Sequence, residues 1–141
     1  MPEKMEAATL HANLQQFCGS EQWHRHSLAR NVIYSEGMHY LAENGGAYWL
    51  IDAIASHIAA NPKHKAARKK NPRFNDLHFW KLRKQDDGAI LEAVEDSGCK
   101  PVVTQEIEFT DFPFPAEGEF TVYAGTDGPG SPVKLYLPSE Y

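Results

Sequence analysis

Two histidines and two cysteines in this chain have the chemistry to hold a metal ion. His24 and His26 alternate along one side of an extended segment, and Cys18 and Cys99 supply two thiols. Imidazoles and thiolates are the ligands of tetrahedral zinc sites, but such sites usually contain two closely spaced pairs such as Cys-x-x-Cys. This chain has a single His-x-His pair among its seven histidines. We therefore predict that it folds without a metal and without any other cofactor.

Asp52, Ser56 and His57 are residue types of a hydrolytic site, and all three lie in one predicted helix. Asp52 and His57 are about 140° apart around that helix, so they cannot share a hydrogen bond. Ser56 has no visible base, and the chain lacks both a Gly-x-Ser-x-Gly turn and a phosphate-binding glycine loop. His78 lies in an apolar strand, where we expect it to be packed and hydrogen-bonded. The sequence thus predicts no catalytic residues, and we expect that the protein is not an enzyme.

The strongest charge asymmetry is a basic segment at residues 62–73. It contains six Lys or Arg residues and no acid, whereas the rest of the chain carries 8 basic and 19 acidic residues. Such a segment attracts phosphate groups, although the acidic remainder opposes general affinity for a polyanion. The alternative interpretation is a solvated connector between a helix and a sheet. The residues predicted to contact a partner here are Lys63, Lys65, Arg68, Lys69, Lys70 and Arg73.

A stiff aromatic segment at residues 109–115 is the second predicted contact region. Pro113 and Pro115 keep the backbone extended and cannot continue a strand ladder. Phe112 and Phe114 either close the end of the core or present an apolar lip to a partner. The core interpretation is favoured, and the lip keeps both residues in the predicted partner-binding set.

The elements that position these residues follow from hydrophobic spacing. Leu10 and Leu14 mark one face of a short N-terminal helix, which follows a segment 1–8 expected to be flexible. Residues 47–60 carry an apolar stripe at helical spacing and only a narrow polar strip. This pattern predicts a largely buried helix.

The remaining segments indicate strands. A hairpin is predicted around Glu36-Gly37, between apolar residues 32–34 and 38–41, and a second one around Asp86-Asp87-Gly88. Strands that follow one another without helices favour an antiparallel meander. We therefore predict an α+β fold, with a meander of five to seven strands and the helix 47–60 packed on one face. One domain is expected over residues 9–141, with a basic connector at 62–73. Alternating apolar residues also predict strands at 103–109, 120–124 and 133–137.

Several motifs together resemble a known family. They are LQQF at 14–17, EQW at 21–23, GAYWLIDAIAS at 46–56, FWKL at 79–82 and FTDFP at 109–113. As a set, they look like an uncharacterised family of small bacterial, phage and mobile-element proteins, a domain of unknown function. The resemblance covers about residues 14–137. It implies a small single-domain protein, sometimes carried on mobile elements, and it implies no activity.

These observations lead to one functional expectation and two alternatives. We expect a non-enzymatic binding or inhibitory protein, in its specific form an anti-defence (anti-CRISPR-like) factor of a phage or mobile element that acts by protein–protein contact. The expected partner is a host protein or ribonucleoprotein complex. The alternatives are nucleic-acid or ribonucleoprotein binding through residues 62–73, and a small enzyme of an unrecognised class. Without a signal-peptide pattern or an apolar run of about 18 residues, we expect a cytoplasmic location and no membrane contact.

Overall fold

A mixed sheet of seven strands forms the framework of the protein. The computed structural model describes residues 5–19, 22–96, 98–128 and 130–141. The strands are β1 (Trp23–Arg25), β2 (Val32–Ser35), β3 (Leu77–Gln85), β4 (Gly88–Val94), β5 (Val103–Ile107), β6 (Glu119–Gly125) and β7 (Val133–Tyr136). Their order across the sheet is β1-β2-β7-β6-β3-β4-β5.

The strand order confirms the α+β class but corrects the predicted meander. In a meander β6 would pair with β5, whereas here it lies on the other side of β3 and pairs with it antiparallel. The last strand, β7, runs parallel to β2, and all other neighbours are antiparallel. The pairing of β6 with β3 aligns Val122 with Trp80 and Phe120 with Leu82. All four side chains are buried, so this order joins the apolar positions into one core.

Five helices and one 3-10 turn complete the described part of the chain. They are α1 (Ala7–Leu14), α2 (Glu36–Gly45), α3 (Tyr48–Ala60), α4 (Pro62–Lys70), α5 (Pro72–Asp76) and the turn Pro138–Glu140. Of the segment 1–8 expected to be flexible, residues 1–4 lie outside the described residues. Ala7 and Ala8 belong to α1, and the amide of Met5 donates to the carbonyl of Asn44. The fully buried Leu10 anchors this helix to the core.

The third helix supplies the centre of the core. Leu50, Ile54 and Ile58 of α3 are completely inaccessible to solvent, as the apolar stripe predicted. They belong to one apolar cluster that also contains Trp80 and Leu82 of the sheet. A helix buried on this scale stabilises a small domain mainly by removing apolar surface from water.

The hairpin predicted around Glu36-Gly37 is wrong, because this sequence starts α2. The hydroxyl oxygen of Ser35 accepts a hydrogen bond from the amide of Met38 at 3.1 Å and so caps the helix. Gly37 is required for close packing, since a Cβ at this position would lie 2.6 Å from the Glu140 carboxylate. Gly46 then ends α2 with a φ of 63°, a left-handed conformation that favours glycine.

The basic segment 62–73, predicted as a connector, is helical. The side chains of Asn61 and Asn71 accept hydrogen bonds from the first turns of α4 and α5. Pro62 and Pro72 occupy the first helical positions, where the missing N–H costs nothing and the fixed φ suits a helix. Two Asn-Pro pairs thus start two consecutive helices. The basic residues of the segment are therefore presented from helical backbone.

The sheet has a covered face and an open face. The rings of His57 on α3 and His64 on α4 stack on Trp80, with centroids 5.6 and 5.5 Å from it. On α1, the ring of His11 contacts Phe120. These contacts all fall on the buried side of the strands. The opposite side carries half-buried side chains, among them Phe79 and Lys81.

Candidate functional site

Five exposed cations form one continuous feature of α4 and α5. This cationic surface consists of Lys63, Lys65, Lys69, Lys70 and Arg73. At about 100° per residue, the four lysines of α4 fall within an arc of about 160° on its outer side. Within the residues that the structure describes, no carboxylate lies within ion-pairing distance of any of the five.

Three cations of the sheet differ from those of the cationic surface. Lys81 lies 3.6 Å from a Glu119 carboxylate oxygen, and Lys134 is paired with Asp127. Arg83 donates from Nε to the Glu92 carboxylate at 2.9 Å. Local carboxylates therefore compensate these three sheet cations, whereas none of the five cations of the cationic surface has a carboxylate within ion-pairing distance in the described part of the chain. This contrast distinguishes a surface with an outward field from an ordinary mixed surface.

Arg68, also predicted to contact a partner, makes a structural contact within the protein. Its side chain lies on the inner side of α4, where Nη2 donates to the carbonyl oxygen of Ile58 at 3.0 Å. Burial lowers the pKa of its guanidinium from the ordinary value. Arg68 thus ties α4 to the end of α3, whereas the other five cations predicted to contact a partner are exposed.

A buried network of two histidines and a tryptophan anchors α4 to the sheet. His64 of α4 and His78 of β3 are 0% and 1% exposed, and their Nε2 atoms are 2.9 Å apart. Nδ1 of His78 lies 3.0 Å from the carbonyl oxygen of Phe74, so this nitrogen carries the proton. Nε2 of His78 is then the acceptor for Trp80 Nε1–H, at 3.0 Å, and for His64. The prediction that His78 is packed and hydrogen-bonded is confirmed.

This pattern fixes both histidines in the neutral form. His64 donates from Nε2, so its Nδ1 is unprotonated, and this atom has no partner among the described residues. Burial, followed by the nearby His78 and Arg68, lowers the pKa of His64 to about 2. Burial also lowers the pKa of His78 to about 3. Neither residue can therefore exchange protons with a substrate at neutral pH, and the network serves to position α4.

The aromatic segment divides between core and surface. Phe112 is only 5% exposed and its ring contacts Phe120 at 5.4 Å, so the core interpretation is the correct one for this residue. Phe114 is half-buried and its ring lies 5.0 Å from that of Phe112. The exposed aromatic residue of the segment is Phe109, which is 74% exposed. Phe112 therefore belongs to the core, and Phe109 is the ring that this segment presents to solvent.

The residues considered for zinc lie in different environments. Cys18 and Cys99 are exposed free thiols. The ring of His24 stacks between Tyr34 and His39. Within the described residues, no group of three metal-ligating side chains is placed to hold an ion.

The predicted separation of Asp52 from His57 is confirmed, since each has another partner. His26 Nδ1 accepts the amides of Leu28 and Ala29, so Nε2–H donates to Asp52 at 2.8 Å. On α3, His57 pairs with Gln105 at 2.7 Å. Both ring nitrogens of His26 are hydrogen-bonded, so neither is available to accept a proton from a substrate. The His26–Asp52 pair holds the β1–β2 loop against α3.

The sequence reading missed a row of aromatic rings on the open face of the sheet. Trp23, Tyr136, Tyr123 and Phe79 lie on the four strands β1, β7, β6 and β3. Neighbouring rings contact each other, with centroid distances of 6.5, 5.8 and 4.8 Å along the row. These rings come from strands that are far apart in the chain, and only the strand order brings them together.

The fold and these surfaces define a small α+β protein with a helix-covered sheet, a cationic helical surface and an open aromatic face. Residues 8–141 match the model described as Family of unknown function (DUF6876), and the chain belongs to this family. No curated protein and no solved structure matches the chain. In the described part of the chain, no helix is both long and apolar enough to cross a membrane.

Proposed function

We propose that this protein is a non-enzymatic nucleic-acid-binding factor, which engages phosphate backbones through the cationic surface of α4 and α5. The observation that carries the proposal is the set of five exposed cations with no carboxylate within ion-pairing distance in the described structure. Neutralising phosphates with such cations releases condensed counterions, which is the main source of non-specific affinity.

The residue types favour nucleic acid over an acidic protein as the partner. Four of the five cations are lysines, a residue type that is depleted in protein–protein interfaces but binds phosphate as a point charge. The adjoining Phe74 is 1% exposed, so it offers no ring on which a base can stack. We therefore expect contacts to the backbone of a duplex or a folded RNA, without sequence readout.

The acidic remainder of the chain favours one orientation of the bound nucleic acid. Outside residues 62–73 the basic and acidic residues leave a net charge of −11. A polyanion is repelled from this body and attracted to the cationic surface, so one orientation of approach is favoured. In its specific form, the proposal is an anti-defence factor of a mobile element that occupies the nucleic-acid path of a host ribonucleoprotein.

Fluorescence anisotropy with short RNA and DNA duplexes tests the proposal. The test variant is the triple change Lys65→Glu, Lys69→Glu and Lys70→Glu. Wild type should bind with a Kd of about 10⁻⁵ M at moderate salt, in the usual range for non-specific binding. The triple variant should bind at least about tenfold more weakly, and its stability should change little because exposed substitutions usually cost under about 0.5 kcal/mol each.

A matched control carries the same change in net charge elsewhere. Arg30, Lys84 and Lys100 are exposed and lie outside the cationic surface. Their triple replacement by Glu should weaken binding much less than the α4 triple variant does. Equal losses in the two variants would show that only net charge matters, and the proposal would then be wrong.

A second candidate function is protein docking over the aromatic row. Tyr and Trp are enriched in interfaces because they bury a large area and still offer a polar atom. Capture from host lysate after nuclease treatment separates the two candidates. A protein that is retained by the α4 triple variant but lost with Phe79→Lys would support docking over the open face.

A further inference from the structure

A groove of about 330 Å³ opens at one end of the aromatic row, on the opposite side of the sheet from the helices that contact Trp80 and Phe120. Its composition is unlike that of the cationic surface, because it combines aromatic rings with carboxylates. The side chains that matter are Trp23, Tyr136, Tyr141, Asp76, Asp127 and Lys134.

The rings offer two kinds of surface to a ligand. Those of Trp23 and Tyr136 are perpendicular, with centroids 6.5 Å apart. Tyr141 is 80% exposed, although its ring contacts Tyr123 at 5.6 Å. The π-face of an indole or phenol ring attracts a cation, and it does so more strongly where water is partly excluded.

The chain already places an ammonium group in this groove. Nζ of Lys134 lies 5.2 Å from the centroid of the Trp23 ring and is paired with Asp127. One ring face and one carboxylate therefore hold a lysine head group together. The Asp127 side chain is 70% exposed, so this ion pair is weak enough to exchange.

Charge favours a second cation in the same place. Asp76 and Asp127 outnumber Lys134, and within the described residues the Asp76 carboxylate has no ion-pair partner. Carboxylates accept N–H hydrogen bonds, which an unmodified ammonium can donate and a trimethylammonium cannot. The site chemistry therefore suits an unmodified lysine.

We propose that this groove binds the ammonium head of a lysine side chain presented by a partner protein. The incoming ammonium takes the position of Lys134, over Trp23 and beside Asp127 and Asp76. This goes beyond nucleic-acid binding, which uses a surface of the opposite charge, and the two proposals are tested by different probes.

NMR titration with N-acetyl-lysine methylamide tests the groove directly. The readout is the backbone amides of Gly125 and Thr126, which line the groove. The lysine probe should cause a saturable shift, and N-acetyl-glutamine methylamide should not. The trimethyl-lysine analogue should bind more weakly than lysine.

Three variants sharpen the titration. Lys134→Gln removes the internal competitor and should tighten the lysine probe by about threefold or more. Trp23→Leu removes the indole ring and should weaken binding of the lysine probe about fivefold, as expected from a cation–π contribution of about 1 kcal/mol. Lys81→Gln is the matched control, because this cation lies on the same open face but outside the groove, and it should change nothing.

Two results would overturn the proposal. One is an equal response to the lysine and glutamine probes, and the other is unchanged affinity in Lys134→Gln. If Trp23→Leu does not fold, the Lys134→Gln comparison decides the matter alone. The duplex-binding assay of the cationic surface is unaffected by either result.

Discussion

Acidification should destabilise this protein at a pH where most carboxylates are still ionised. His64 and His78 share one buried hydrogen bond and are both neutral in the folded state. A proton added to Nε2 of His78 would face the N–H groups of Trp80 and His64. A proton added to Nδ1 of His64 would create a buried charge near Arg68, whose cation already lowers the pKa of His64.

The size of the effect follows from the two pKa values. An unfolded histidine has a pKa of about 6.5, while in the folded protein the pKa is about 2 for His64 and about 3 for His78. Because the pKa values are lower in the folded protein, the contribution of these neutral histidines to stability is fully present above about pH 6.5. This contribution declines as the pH falls toward about 3. At about pH 5.5, protonation of each histidine in the unfolded state lowers the free energy of unfolding by about 1.4 kcal/mol. The two histidines together lower it by about 3 kcal/mol.

Urea denaturation at about pH 7.5, 6.5 and 5.5 measures this loss directly. A decrease of about 3 kcal/mol is a large part of the usual 5–15 kcal/mol of a domain. The loss should persist in high salt, because the pair is buried and poorly screened, whereas surface charge effects should shrink. His64→Phe, which keeps a ring against Trp80, should halve the pH dependence.

A free energy of unfolding that changes by less than about 0.5 kcal/mol between about pH 7.5 and 5.5 would refute this reasoning. It would mean that both histidines take up protons in the folded protein. NMR of the ring nitrogens gives an independent check that does not depend on the variant folding. It should show Nδ1–H in His78 and Nε2–H in His64, with no titration above about pH 4.5.

Three further substitutions, two of them with a control variant, test the packing by denaturation. Ile54→Ala should cost about 2–5 kcal/mol, because its side chain is fully buried in α3, and an unchanged midpoint would contradict this. Phe112→Ala should cost about 3–5 kcal/mol. Phe109→Ala, at a 74% exposed position of the same segment, should cost under about 0.5 kcal/mol. Equal costs would mean that Phe112 is not a core residue. Glu140→Gln should cost about 1–3 kcal/mol, since the buried carboxylate accepts the Ser35 hydroxyl at 2.6 Å, whereas the exposed Glu117→Gln should be neutral.

Local patterns were sufficient where one segment determines its own structure. The stripe of Leu50, Ile54 and Ile58 predicted the buried α3, and Asp86-Asp87 predicted the β3–β4 turn. The α2 error came from giving Gly37 the role of a turn residue. In the structure this glycine makes room for Glu140, about a hundred residues later in the chain, and no local pattern contains that contact.

The candidate surfaces were only partly predictable for a similar reason. The charge of residues 62–73 is visible in the sequence, but the inward position of Arg68 depends on α4 being a helix that follows α3. Asn61-Pro62 and Asn71-Pro72 carried the missing signal, since Asn followed by Pro is a common helix start. The aromatic row needed the strand order itself, because its rings come from positions between 23 and 136.

The salt dependence of duplex binding tests the central proposal most directly. If the cationic surface contacts phosphates with all five cations, the plot of log K against log salt for B-DNA should have a slope of about −4.5. Reversing Lys65, Lys69 and Lys70 should reduce the magnitude of that slope by about 2.7. The Arg30, Lys84 and Lys100 control should keep the wild-type slope. A slope that is the same in the wild type and the α4 triple variant would mean that α4 does not contact nucleic acid.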